Sequence, residues 1–310
     1  MNRVMFMDRL EDYQILKTLG IRENSMDLVV DTDAYNEIDD QFALAYVLAS
    51  DNFNIKAVCA APFFNARSKS PADGCEKSFD EIHHILKLAG REEHKDSVYM
   101  GSLEFLSNEN TPVISPAAEK VADLAMNYTA DRPLYVAAVG AITNVASAIL
   151  INPEIVKRMV VVWLGGHARH WPDAAEFNLI QDIAAARVVF NSGVPLVQLP
   201  CLGVVSSFSF SGDELKARIE GENRLCDYLY ERTVEMYAHK DGSPWSKILW
   251  DVTVPAYLAG GFTREYIVHS PVIQYDGRYS TDPSRHPMKY VYHIERDALA
   301  GDLFNKLCAF

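Results

Sequence analysis

The chain has 310 residues, 49% of them hydrophobic and 23% charged, so it carries ample apolar material for a large core and bulk disorder is excluded. Forty-two Asp and Glu against 29 Lys and Arg give a net charge of −13, the wrong sign for holding a nucleic-acid backbone or an anionic membrane. Five scattered cysteines (Cys59, Cys75, Cys201, Cys226, Cys308) with no CxxC support neither a zinc ribbon nor a disulfide scaffold, and read as thiols of a reducing compartment. Met1–Asn24 has no apolar run of signal-peptide length, and no window reaches the ~18 apolar residues of a membrane span, so a cytoplasmic protein is expected.

An N-terminal extension, 1–24, holds a short amphipathic helix over 8–20. Strand and helix patterns then alternate. Asp27–Val30 reads as a strand, Glu37–Ser50 as a helix and Ile55–Ala61 as a second strand. Pro71–Ala89 is a long helix closed by Gly90, Ser97–Met100 a short strand, and Pro116–Tyr128 a helix started by Ser115. Leu134–Val139 and Met159–Leu164 are nearly continuous apolar strands, separated by a helix through Leu150. Asp182–Asn191 is a helix and Pro195–Leu199 a strand. Further helices are expected over 211–220, 223–238, 250–259 and 297–308, with Lys289–Glu295 alternating like an edge strand. Apolar strands without alternation, joined by helices, signal a sheet buried on both faces. The expected fold is one doubly wound α/β domain over 1–310, with a mostly parallel sheet, helices on both faces and a helical elaboration after residue 205.

The strongest local signal is Asp31-Thr32-Asp33-Ala34-Tyr35-Asn36-Glu37-Ile38-Asp39-Asp40, where an apolar strand runs out into five carboxylates. Asp31 and Asp33 lie two apart on an extended chain and share a face. Asp39 and Asp40 open the next helix, whose dipole favours negative charge. In open α/β sheets ligands bind beyond the carboxyl ends of the strands, which is where this loop lies. Carboxylates this close repel unless a cation compensates, and an all-oxygen donor set selects Ca²⁺ or Mg²⁺ over zinc or iron. The bland alternative is helix capping within a solvated acidic loop.

Three other segments converge on the same rim. Glu176 and Asn178, in Ala175–Asn178 after Gly165-Gly166, suit hydroxyl groups; a plain polar loop is the alternative. Asp251 in Trp250-Asp251 is either a helix N-cap or a distant carboxylate for the cation. Val139-Gly140 ends a strand and leaves main-chain oxygens free at the rim, good Ca²⁺ donors.

Together these segments resemble the nucleoside hydrolase family, the inosine–uridine-preferring nucleoside N-ribohydrolases. The DTDPGxDDxxAL opening of that family is similar to Asp31-Thr32-Asp33 through Asp39-Asp40 to Ala43-Leu44. Its GPLTN turn resembles Gly140–Asn144, its AEFN matches Ala175–Asn178, and its late HDxxxVAY resembles Trp250-Asp251 to Tyr257. The order and spacing hold from about residue 27 to the C-terminus. The resemblance implies Ca²⁺-dependent hydrolysis of the C1′–N bond of a ribonucleoside or similar N-ribosyl compound, releasing free ribose and base. It implies that Asp33, Asp40, Asp251 and the Val139 carbonyl hold Ca²⁺, with Asp33 also general base on a calcium-bound water. It assigns Asp39, Asn65, Glu176 and Asn178 to the ribose hydroxyls, an oxocarbenium-like transition state to the reaction, and a homodimer or tetramer to the assembly.

The sequence departs from the pattern in informative places. Two extra residues lie between Asp33 and Asp39, and Asn36 or Glu37 could enter the site. Trp250 replaces a His that is a candidate proton donor to the departing base; it suits stacking on a flat leaving group or simple core packing. Tyr230, Tyr237, His239 and Trp245 precede it and could line the same pocket, and His239 is the first candidate for a replacement acid. His170 stands where an Asn contacting the ribosyl 5′ side is expected. Two other readings compete: a non-catalytic or altered-specificity ribosyl-binding relative, and a Mg²⁺ phosphotransferase with Asp31 as nucleophile.

Overall fold

Six apolar segments, β1 (Met26–Thr32), β2 (Phe53–Ala60), β3 (Val98–Tyr99), β4 (Leu134–Ala138), β5 (Met159–Leu164) and β6 (Leu196–Leu199), pair in parallel in the order β3-β2-β1-β4-β5-β6. This is a computed structural model that describes residues 9–21, 23 and 25–310. Residues 1–8, Arg22 and Asn24 of the expected N-terminal extension lie outside the described residues. Every residue of β4, β5 and β6 is buried, as the unalternating apolar runs require.

Helices cover both faces. On one lie α2 (Asp39–Leu48), buried along its whole length, and α3 (Pro71–Leu88). On the other lie α4 (Pro116–Ala125), α5 (Thr143–Ile151) and α7 (Ile183–Ser192), the last preceded by the short α6 (Phe177–Gln181). Ser70 and Ser115 cap α3 and α4 by accepting the backbone N–H groups of Asp73 and Ala118; such a cap contributes about 1 kcal/mol. In the extension, α1 (Asp12–Leu19) buries Ile15 and Leu19 against the core.

The C-terminal half is less purely helical than expected. The helices α8 (Gly212–Ile219), α9 (Arg224–Tyr237), α10 (Thr253–Ala259) and α11 (Arg296–Leu307) are present. Between them run β7 (Ser209–Ser211) and β8 (Ser246–Ile248), an antiparallel pair. Next come β9 (Thr263–His269), the hairpin of β10 (Val272–Ile273) and β11 (Tyr279–Ser280), and β12 (Pro287–Ile294). The expected edge strand is corrected here: β12 pairs with β6 on one side and antiparallel β9 on the other, and β9 is the true edge. Lys289, which made the segment alternate, is neutralised by Glu265 of β9 at 3.1 Å rather than by water.

Strand order reverses between β1 and β4, which pair directly while the chain winds outward on either side of them. A crevice at such a switch point, beyond the strands' carboxyl ends, is where an α/β sheet binds its ligand. Among the described residues, no helix is long and apolar enough to cross a membrane.

Candidate active site

The C-terminal ends of β1 and β4 build the floor of the site. Val139 N–H donates to the Asp31 carbonyl at 2.8 Å and carries the ladder one step past the strands, so Asp33 emerges beside Val139 and Gly140. A Cβ at Gly140 would lie 2.9 Å from Asp33 Oδ1, so the close approach of that carboxylate needs glycine. Asp31 faces inward instead: its Oδ1 accepts Asn144 Nδ2 at 2.8 Å, and burial pushes its carboxyl up to about 7. It does not line the cavity, which leaves the phosphotransferase reading without a nucleophile in reach of a ligand.

Asp39 and Asp40 open α2, and Asp251 sits in the turn before α10. One oxygen from each converges within 4.8 Å of the others, and all three side chains are buried. Thr32 Oγ1 donates to Asp40 Oδ1 at 2.5 Å. Burial raises the affinity of Asp33, Asp40 and Asp251 for a proton, and neighbouring carboxylates, Asp39 in each case, raise it further; Asp40 reaches about 7. Asp33 Oδ2 is buried and has no hydrogen-bond partner among the described residues. Unpaired buried carboxylate oxygens in a repelling group suit a hard cation.

Each expected site residue has a definite place. Asp33, Asp39, Asp40, Val139, Glu176, Asn178, Trp250 and Asp251 all line one cavity of about 260 Å³. The converging trio contains Asp39 in place of Asp33, which stands beside it with its free oxygen. Glu176 caps α6, accepting Asn178 N–H at 2.8 Å, Leu179 N–H at 3.1 Å and Gly166 N–H at 2.9 Å. Burial outweighs these bonds and lifts its carboxyl to about 7. Asn178 Nδ2 donates to the carbonyls of Val139 at 2.9 Å and Leu164 at 3.1 Å, tying the AEFN segment to the ends of β4 and β5.

Three expectations are displaced. Asn65 does not line the cavity; its Nδ2 donates to Asn36 Oδ1 at 2.6 Å, and Asn36 takes the place in the wall. His170 is exposed and turned against Gly203, while His167 of the same loop lines the cavity. His239 is exposed in the turn after α9 and far enough from the cavity to be absent from its walls, because α9 ends at Tyr237. Tyr237 instead donates to Glu37 Oε2 at 2.9 Å, while Tyr230 and Trp245 pack against the core.

Sequence reasoning missed three groups. Lys247 on β8 bonds Glu37 Oε2 and lies 2.7 Å from Asp39 Oδ1. Burial opposes its charge, but Asp39 and Glu37 outweigh it and hold the ammonium above its ordinary range. A lone lysine between Ser246 and Ile248 carries no local signal of this. His167 Nδ1 accepts Leu202 N–H at 3.4 Å, and burial shifts the ring below its usual pKa, toward the neutral form. Cys201 adds a thiol that burial and the neighbouring Glu176 keep protonated.

The inosine-uridine preferring nucleoside hydrolase model covers residues 28–283. The chain belongs to that family. It is 30% identical over 197 residues to a pyrimidine-specific ribonucleoside hydrolase RihA of Photobacterium profundum, covering 56% of this chain and 59% of that protein. It is 31% identical over 101 residues to a non-specific ribonucleoside hydrolase RihC of Salmonella newport, 32% of each chain. The chain thus matches little more than half the length of RihA and a third of RihC. Solved nucleoside hydrolases share the fold over nearly the whole chain. A plant nucleoside hydrolase superposes with a TM-score of 0.71 at 19% identity, covering 92% of this chain and 99% of its own. An inosine-uridine preferring nucleoside hydrolase from Bacillus anthracis gives 0.67 at 16% identity, covering 92% and 100%.

Proposed function

We propose that the protein hydrolyses the N-glycosidic bond of a ribonucleoside or similar N-ribosyl compound, releasing free ribose and the base. The observation that carries this is Asp33: a buried carboxylate with one oxygen that has no partner among the described residues, lining a cavity beside the converging oxygens of Asp39, Asp40 and Asp251. The family membership and the ribonucleoside hydrolase relatives support the same reaction class.

The donor set fits Ca²⁺, since it offers only hard oxygens and its carboxyls repel one another in the cation's absence. Asp33, Asp40, Asp251 and the Val139 carbonyl would hold the ion. When bound, it would polarise water and ease its deprotonation. Asp33 Oδ2 is placed to accept the proton from the water that attacks C1′. Asp39, Glu176 and Asn178 offer acceptors for the ribose hydroxyls, and Lys247 holds Asp39 in place. As the C1′–N bond lengthens, positive charge spreads over the ribosyl ring, and the surrounding carboxylates stabilise it. A cytoplasmic setting fits the five free cysteines, and the family resemblance implies a homodimer or tetramer.

With Ca²⁺, the protein should release reducing sugar from at least one compound in a broad ribonucleoside panel, and Asp33→Ala should abolish the release. Failure across the panel with metal-replete protein would sink the proposal. A non-catalytic ribosyl-binding role is the second reading, favoured by Trp250 before Asp251 and by the exposure of His239. A p-nitrophenyl riboside, whose leaving group needs no proton, separates the two: binding without turnover of that compound selects the second.

A further inference from the structure

We infer that the base this site takes is cationic while bonded to ribose: the substrate is an N-ribosylpyridinium or similar quaternary N-riboside, held by Glu37 and Trp250. The inference rests on the N-ribohydrolase reading and names its substrate class. Glu37 belongs to the loop that is two residues longer than the family pattern between Asp33 and Asp39. Lys247 and the Tyr237 hydroxyl both bond its Oε2, the latter at 2.9 Å. Its Oε1 accepts no hydrogen bond from the described residues, and the side chain lines the cavity at a partly exposed edge. A carboxylate clamped through one oxygen, with the other free, is a fixed anionic acceptor. Although burial works against its charge, Lys247, Tyr237 and Arg67 hold its pKa below the ordinary range, so it stays ionised.

Trp250 lines the same cavity, and the face of an indole attracts a flat cation. Six carboxylates line the cavity: Asp33, Glu37, Asp39, Asp40, Glu176 and Asp251. Burial favours the protonated form of all of them but Glu37, which Lys247, Tyr237 and Arg67 keep ionised. His167 adds no positive charge, because its Nδ1 accepts the Leu202 N–H and the ring is therefore neutral. Glu37 thus supplies negative potential at the cavity's partly exposed edge beyond what a neutral base would use.

The chemistry agrees with the geometry. A neutral base leaves as an anion unless it is protonated, and Trp250 stands where the family pattern has a histidine. A pyridinium needs no proton. The C1′–N electron pair stays with the ring nitrogen, which becomes neutral. The water oxygen bonds C1′ and its proton passes to Asp33 and then to solvent. One N-ribosylpyridinium and one water give ribose, a neutral pyridine and one proton.

The test compares nicotinamide riboside, uridine and inosine as substrates of the calcium-loaded protein. The expected result is a kcat/KM for nicotinamide riboside at least about tenfold above either neutral nucleoside. Glu37→Gln should lower the ratio of nicotinamide riboside to uridine by about five- to tenfold, mainly through KM; a ratio cancels intrinsic differences in leaving ability. Should that variant fail to fold, competitive inhibition of the wild type decides: N-methylnicotinamide, a cation, should inhibit at least about tenfold more tightly than neutral nicotinamide. Preference for uridine or inosine, an unchanged ratio in Glu37→Gln, or equal inhibition by the two pyridines overturns this inference alone. Cleavage of none of the three substrates, nor of any nucleoside in the wider panel, overturns the hydrolase reading and this inference with it.

Discussion

Lys247 Nζ lies 2.7 Å from Asp39 Oδ1, and the two side chains are only 2% and 3% exposed. An ammonium withdrawn this far from water is tolerated only because two carboxylates face it, and removing it strands them. Lys247→Met should therefore cost roughly 3–5 kcal/mol of folding free energy, the usual loss when one member of a buried pair is removed. Urea denaturation of the calcium-free protein measures it. A loss under about 1 kcal/mol would mean that water reaches Asp39 and that the pair is effectively a surface one.

Glu176 gives a stability profile with a definite sign. Its carboxyl is lifted to about 7 by burial, well above an unfolded glutamate near ~4.3. The folded state therefore binds this proton more tightly, and the stabilisation is complete below the unfolded value and lost as pH rises through 7. The difference in unfolding free energy between wild type and Glu176→Gln should shrink by up to roughly 3 kcal/mol from pH 4 to pH 8. Parallel denaturant titrations of the two proteins check this. A flat difference would mean that the three N–H groups on Glu176 hold it ionised despite its burial.

Gly140 offers a steric test of the site. An alanine Cβ there would meet Asp33 Oδ1 at 2.9 Å and Ala61 Cβ at 3.1 Å. The softer neighbour is the carboxylate, which should rotate away from the rim. Gly140→Ala is expected to cost about 1–3 kcal/mol in stability and about a hundredfold in kcat, because misplacing a proton acceptor by an ångström is enough for that. Calcium affinity by titration calorimetry should fall in the same variant. Full activity with a normal melt would show that Asp33 does not need its present position.

How far the sequence discloses this molecule depends on the range of the interaction concerned. β4, β5 and the carboxylates of the β1–α2 loop were readable because burial on both faces and strand-end acidity are written in consecutive residues. Asp251 came within reach only because a familiar spacing flagged it. Lys247 was not readable: it lies 208 positions from Asp39 in the chain (247 − 39), and nothing near it hints that two carboxylates wait across the fold. The β9–β12 pairing failed for a related reason, since a charge paired across strands alternates like one facing water. His170 and His239 were plausible by spacing and chemistry, but the loop after β5 turns His167 inward in place of His170, and α9 stops before His239 can reach the cavity.

The same contrast separates the histidines experimentally. His239 is exposed and absent from the cavity wall, so His239→Ala should leave kcat/KM within about twofold of wild type, as surface substitutions away from a site do. His167 lines the cavity with Nδ1 occupied by the Leu202 N–H, which puts the ring proton on Nε2, a donor that bonds none of the described residues. His167→Ala should lose one neutral hydrogen bond to the bound ligand, about 0.5–1.5 kcal/mol, or a roughly two- to tenfold rise in KM. His167→Gln retains an N–H donor and should recover part of that loss. Steady-state kinetics on whichever ribosyl compound is cleaved fastest compares the three variants. A large fall with His239→Ala and none with His167→Ala would mean that the segment after α9 folds over the cavity when substrate binds, and that the proton donor is His239 after all.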